Sequence, residues 1–82
     1  MTLPAGRVVL YVRDGCHLCD EFLLDLSLDL GPDWTGLELR DVDRDETLAA
    51  RYGLRVPVLE VGGVDVCEGR YDAARVRRAL GV

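Results

Sequence analysis

The chain has 82 residues, 49% hydrophobic and 30% charged, and is expected to form a single domain over 1–82. Its charges are interleaved with apolar residues, which argues against disorder, and its net charge of −5 leaves no basic surface for nucleic acid or an anionic membrane. No stretch reaches the length of a membrane span and Met1–Gly6 lacks the pattern of a leader, so cytoplasmic residence is expected.

Val8-Val9-Leu10-Tyr11-Val12 is an unbroken apolar run, which suits a strand buried on both faces, and Asp14-Gly15 breaks it. From Cys16 to Leu30 the spacing turns helical, with Cys19, Phe22, Leu23, Leu26 and Leu30 on one face. Gly31-Pro32 predicts the stop, glycine as cap and proline as breaker. Leu37–Arg40 alternates with period two, as a half-exposed edge strand does. Asp43, with Glu46 three residues on, predicts the cap of a short second helix that turns Leu48, Ala49 and Tyr52 inward and ends at Gly53. Val56–Val61 is the third strand, interrupted in character by Glu60, and Gly62-Gly63 is a two-residue hairpin turn. Val64–Cys67 alternates again as the opposite edge. Asp72 opens a last helix with Ala73, Val76 and Leu80 inward, and Arg75, Arg77 and Arg78 near its C-terminal end complement the dipole.

Chemistry concentrates at Cys16-His17-Leu18-Cys19. Three cysteines are too few, and odd in number, for a secreted disulfide framework. The pair stands where a buried strand gives way to a helix, and unpaired N–H groups at a helix start stabilise an anion. A thiolate at Cys16 is favoured there, and only the thiolate attacks a disulfide. Cys19 lies about one helical turn away, placed to displace the mixed disulfide that forms. His17, when protonated, would favour the thiolate further, whereas Asp14, Asp20 and Glu21 oppose it weakly across water. The alternatives are a metal site drawn from Cys16, His17, Cys19 and Cys67, an iron–sulfur cluster bridged between subunits, or a module that binds without turnover. Cys67, on an edge strand, is expected to be a small, partly buried apolar residue, and Trp34 and Tyr52 are expected to pack.

The order β-α-β-α-β-β-α, the C-x-x-C after the first strand and Val56-Pro57 before the third resemble the thioredoxin fold, closest to glutaredoxins. The resemblance is to a small bacterial branch of glutaredoxin-like proteins with a C-H-L-C motif. It implies an α/β fold with a four-stranded mixed sheet in the order second–first–third–fourth strand, the first and third helices on one face and the second on the other. It implies a cis Val56–Pro57 bond facing the cysteines, with Val56 presenting backbone polar groups to a bound thiol or peptide. By position, Arg13 matches the basic residue that helps hold glutathione in that family. Gly69 and Asp72 match what remains of a Gly-Gly and acidic-pair element that meets the glutathione amine, for this stretch reads Glu68-Gly69-Arg70-Tyr71-Asp72. The expected function is a thiol–disulfide oxidoreductase, monomeric, serving cell redox homeostasis, with Cys16 as nucleophile and Cys19 as resolving thiol. The expected substrate is a disulfide-containing protein or glutathione conjugate, and the electron donor is glutathione or a disulfide reductase. No metal and no tightly bound cofactor are expected, with glutathione as the candidate co-substrate.

Overall fold

The computed structural model describes residues 7–31, 34 and 36–82. The chain forms β1 (Val8–Val12), α1 (His17–Leu30), β2 (Leu37–Asp41), a 3-10 turn (Val42–Arg44), α2 (Glu46–Tyr52), β3 (Val58–Val61), β4 (Val64–Glu68) and α3 (Ala73–Leu80). The sheet order is β2-β1-β3-β4, as the family resemblance implies, with the two alternating strands at the edges. β1 pairs parallel with β2 and antiparallel with β3, which pairs antiparallel with β4.

The apolar run of β1 lies inside because each of its alternating faces meets a helix layer. Val8 and Leu10, with Leu59 and Val61 of β3, pack under Phe22 and Leu26 of α1 and Val76 and Leu80 of α3. Val9 and Tyr11, with Val58, pack on the other face against Val42 and Tyr52. Glu60, which breaks the apolar pattern of β3, points to this second layer, where the hydroxyls of Tyr11 and Tyr52 donate to its carboxylate at 3.3 and 3.2 Å. The two tyrosine rings stack with centroids 4.1 Å apart. An amphipathic carboxylate is thereby accommodated beside a core that would otherwise reject it.

Four local expectations are corrected. Asp43 does not cap α2. Asp45 does, in extended backbone, its carboxylate accepting from the N–H groups of Thr47 and Leu48 at 2.8 and 3.3 Å. Asp43 lies in the 3-10 turn, itself capped by Asp41, and its carboxylate is taken up by Arg13. Ala73 is exposed, because α3 is short and lays only Val76 and Leu80 fully into the core. β3 begins at Val58, not Val56: Pro57 has no N–H for the ladder, and its carbonyl accepts instead from the Gly69 N–H at 2.9 Å. The alternation of β4 is broken by a bulge opposite Leu59 and Glu60, so Val66 and Cys67 both pack against the α1/α3 layer. At the end of α1 the Gly31 N–H closes onto the Ser27 carbonyl, while the expected stop at Pro32 lies outside the described residues. Among the described residues no helix is long and apolar enough to cross a membrane.

Candidate active site

β1 ends at Val12, and the Asp14-Gly15 turn reverses the chain, with Gly15 at a φ of 73° that a side chain rarely adopts. The turn is closed by the Cys16 N–H donating to the Arg13 carbonyl at 3.2 Å. Cys16 is thereby delivered to the N-cap of α1 in extended backbone, where its Sγ accepts from the Cys19 N–H at 3.1 Å. Cys16 and Cys19 are joined as a disulfide, their Cα atoms 5.2 Å apart. The two sulfurs differ in access. Cys19 faces the core and is 2% exposed, whereas Cys16 is partly open to solvent. Cys16 is thus the more accessible of the two to an incoming thiol or disulfide. The N–H that meets Cys16 Sγ would equally stabilise the thiolate of the reduced form.

The remaining predicted residues are dispersed around this turn. His17 projects into solvent with its side chain 88% exposed and lies 3.9 Å from Glu21, one helical turn on, rather than against Cys16. The Val56–Pro57 bond is cis, Pro57 is buried, and Val56 packs against the Tyr11/Tyr52 layer. The hydrogen bond from Gly69 to the Pro57 carbonyl brings Pro57 and Gly69 together. Asp72 caps α3, accepting from the Arg75 N–H at 3.1 Å, and lies 3.7 Å from the Arg75 guanidinium. Cys67 is half-buried in the α1/α3 layer, and burial pushes its thiol up.

Arg13 is held within the protein by each of its three nitrogens. Its Nε and Nη2 grip the Asp43 carboxylate at 3.0 and 3.1 Å, and its Nη1 donates to the Gly53 carbonyl at 3.0 Å. The residue that spacing alone aligns with a glutathione contact therefore ties the cysteine turn to the 3-10 turn and to the end of α2. Gly53 is needed for this approach: a Cβ there would collide with the Ala49 carbonyl oxygen and come within 3.0 Å of Arg13 Nη2. The support that Asp43 and Gly53 give Arg13 is what sequence reasoning misses, since they lie 30 and 40 positions from it and their local signatures point only to helix ends.

Two grooves adjoin the cysteine turn. One, of about 290 Å3, runs between Leu18, Glu21 and Asp25 of α1 and Gly69, Arg70 and Tyr71 of the β4–α3 connection. The other, of about 410 Å3, is bounded by Asp14, Gly15, Cys19, Asp20, Asp41 and Arg44. Leu54, on the connection from α2 to Val56, is completely exposed at 103%. Among the described residues no group of three or more His, Cys, Asp or Glu side chains is arranged to hold a metal ion.

The family model described as glutaredoxin-like domain (DUF836) matches residues 7–81. The solution structure of protein Ne2328 from Nitrosomonas europaea is similar at 33% identity and a TM-score of 0.78, covering 90% of this chain and 89% of that one. The X-ray structure of protein XcR50 from X. campestris is similar at 35% identity and a TM-score of 0.73, covering 90% of this chain and 95% of that one. The crystal structure of the holo form of glutaredoxin C1 from Populus tremula x tremuloides shares the fold, with a TM-score of 0.54 at 18% identity over 93% of this chain and 78% of that one. No curated protein matches.

Proposed function

The chain belongs to the glutaredoxin-like domain family, and from that premise we propose that it is a thiol–disulfide oxidoreductase working through the Cys16–Cys19 pair. The observation that carries the reading is the unequal access of the two sulfurs at the start of α1. In the reduced protein, the Cys16 thiolate attacks one sulfur of a substrate disulfide, and the other sulfur leaves as a thiolate that takes up a proton. Cys19, next to it and shielded, gives up its proton and attacks Cys16 Sγ. The substrate's second thiol is released and the Cys16–Cys19 disulfide remains. Two electrons from a thiol donor, glutathione or the dithiol of a disulfide reductase, restore the starting state. By the family resemblance, Val56 and Pro57 would supply the platform for the substrate's backbone, and Gly69 is joined to them by its hydrogen bond to the Pro57 carbonyl.

The test is substitution of each cysteine in turn. Cys16→Ser is expected to abolish turnover of a disulfide substrate. Cys19→Ser is expected to accumulate a mixed disulfide on Cys16, visible as an added mass after thiol blocking. Turnover retained by Cys16→Ser would overturn the reading. Anaerobic purification with visible absorbance from a bound cluster would favour the iron–sulfur alternative instead.

A further inference from the structure

We infer that the site selects by charge, taking disulfides flanked by cationic residues in a protein or peptide and disfavouring glutathione disulfide; this rests on the oxidoreductase reading above. The groove holding Gly15 and Cys19 carries Asp14, Asp20 and Asp41 on its walls, and the groove beside Leu18 carries Glu21 and Asp25. Against these five carboxylates, the same walls offer the guanidiniums of Arg44 and Arg70 and that of Arg13. Arg13 adds little to the balance, because the Asp43 carboxylate offsets its charge and the Gly53 carbonyl accepts from its Nη1. The side chain that would have offered a carboxylate-bearing tripeptide its anchor is thus already occupied.

Asp72 is drawn in the same direction, its carboxylate spent on capping α3 and facing Arg75. What an approaching disulfide meets is a partly open Cys16, a net-negative rim and the half-exposed Leu18 at 40%. Glutathione, with two carboxylates and one ammonium, brings a net negative charge to that rim. A peptide with Lys or Arg beside its half-cystine brings the complement, and its apolar neighbours can rest on Leu18 and Leu24 in the first groove. Clefts lined by one sign of charge change encounter rates by about 10-fold to 1,000-fold, and added salt weakens the effect by shortening the Debye length, about 10 Å at 0.1 M.

The reaction is balanced in either case: the Cys16–Cys19 dithiol is oxidised to the disulfide as one substrate disulfide is reduced to two thiols. The reduced protein would be mixed with cystamine (cationic), hydroxyethyl disulfide (neutral) and glutathione disulfide (anionic), following loss of the Cys16 and Cys19 thiols by mass spectrometry after alkylation. Each rate would be divided by that of dithiothreitol with the same compound, which removes intrinsic reactivity. The expected normalised order is cystamine, then hydroxyethyl disulfide, then glutathione disulfide. The extremes should differ by about tenfold or more at low ionic strength and converge in high salt. In the double variant Glu21→Lys, Asp25→Lys the cystamine-to-glutathione ratio should fall toward or below one. Glutathione disulfide matching or outrunning cystamine at low salt would overturn the charge inference and leave the oxidoreductase reading standing. Failure of all three compounds would overturn both.

Discussion

The two faces of the sheet solve different problems. Among the described residues, the cluster on the α1/α3 face holds eight buried apolar side chains, among them Leu10, Phe22, Leu59 and Leu80. The cluster on the α2 face holds five, two of them tyrosines whose hydroxyls converge on Glu60. The first face holds the fold by non-directional burial, about 25 cal/mol per Å2 of apolar surface. The second is small and directional, and it is the face on which β1 places Val9 and Tyr11 and, by the same alternation continued, Arg13. The clamp from Arg13 to Asp43 and Gly53 therefore belongs to the polar layer. One layer supplies most of the apolar burial, whereas the other ties the cysteine turn to the 3-10 turn and to the end of α2.

The contrast can be broken most forcefully from the apolar side. Leu10→Ala, at a position with no exposed surface, is expected to cost about 2–5 kcal/mol in a denaturant titration, while a protein that still folds keeps its cysteine chemistry. A loss below about 1 kcal/mol would mean that the layer collapses to fill the gap. Gly53→Ala is expected to cost about 1–3 kcal/mol, since the new methyl collides with backbone at Ala49 and presses on Arg13. Unlike Leu10→Ala, it should also slow exchange at Cys16, measured as the rate of mixed-disulfide formation at matched folded fraction.

Smaller effects sharpen the comparison within the polar layer. Asp45→Ala removes a helix cap and is expected to cost about 1 kcal/mol. Asp43→Ala removes a half-exposed ion pair and should cost less, roughly 0.2–1 kcal/mol, by the same denaturant measurement. The reverse order would restore Asp43 as the cap. The last effect is alkaline. Burial, and after it the charge of Asp65, pushes Tyr52 up to about 12, and burial also raises Tyr11. A folded-state value above the unfolded one contributes stability that is complete below about pH 10 and is lost as pH rises toward 12. Tyrosinate absorbance and melting temperature followed together across that range should change in step. Ionisation of Tyr52 near 10 without loss of stability would show that the layer does not hold it.

Much of this was legible in the residues themselves. The unbroken run Val8–Val12 announces a strand covered on both sides, and the period-two stretches at Leu37 and Val64 announce edges; the sheet order agrees with both. Asp72 and Gly81 bracket α3 by ordinary cap chemistry. The α2 cap was not legible, because Asp41, Asp43 and Asp45 are all competent and the choice falls to the distant Arg13. The bulge at Val66 was hidden for a similar reason, since the local alternation is sound and only the pairing with β3 interrupts it. At the site, spacing placed the cysteine pair correctly at the strand-to-helix junction, but spacing cannot tell whether a cation such as Arg13 is offered to a ligand or consumed at home.

The open margins of the sheet carry a last consequence. Along β2, Arg7 and Arg40 both hold Glu38, and beside β4, Arg55 holds Asp65 and Glu68. A strand from another molecule seeking to extend the sheet on either side would meet these exposed charges before gaining any backbone bond. Both margins are thus protected against edge-to-edge aggregation by arginine and carboxylate, and on the β4 side by the bulge as well.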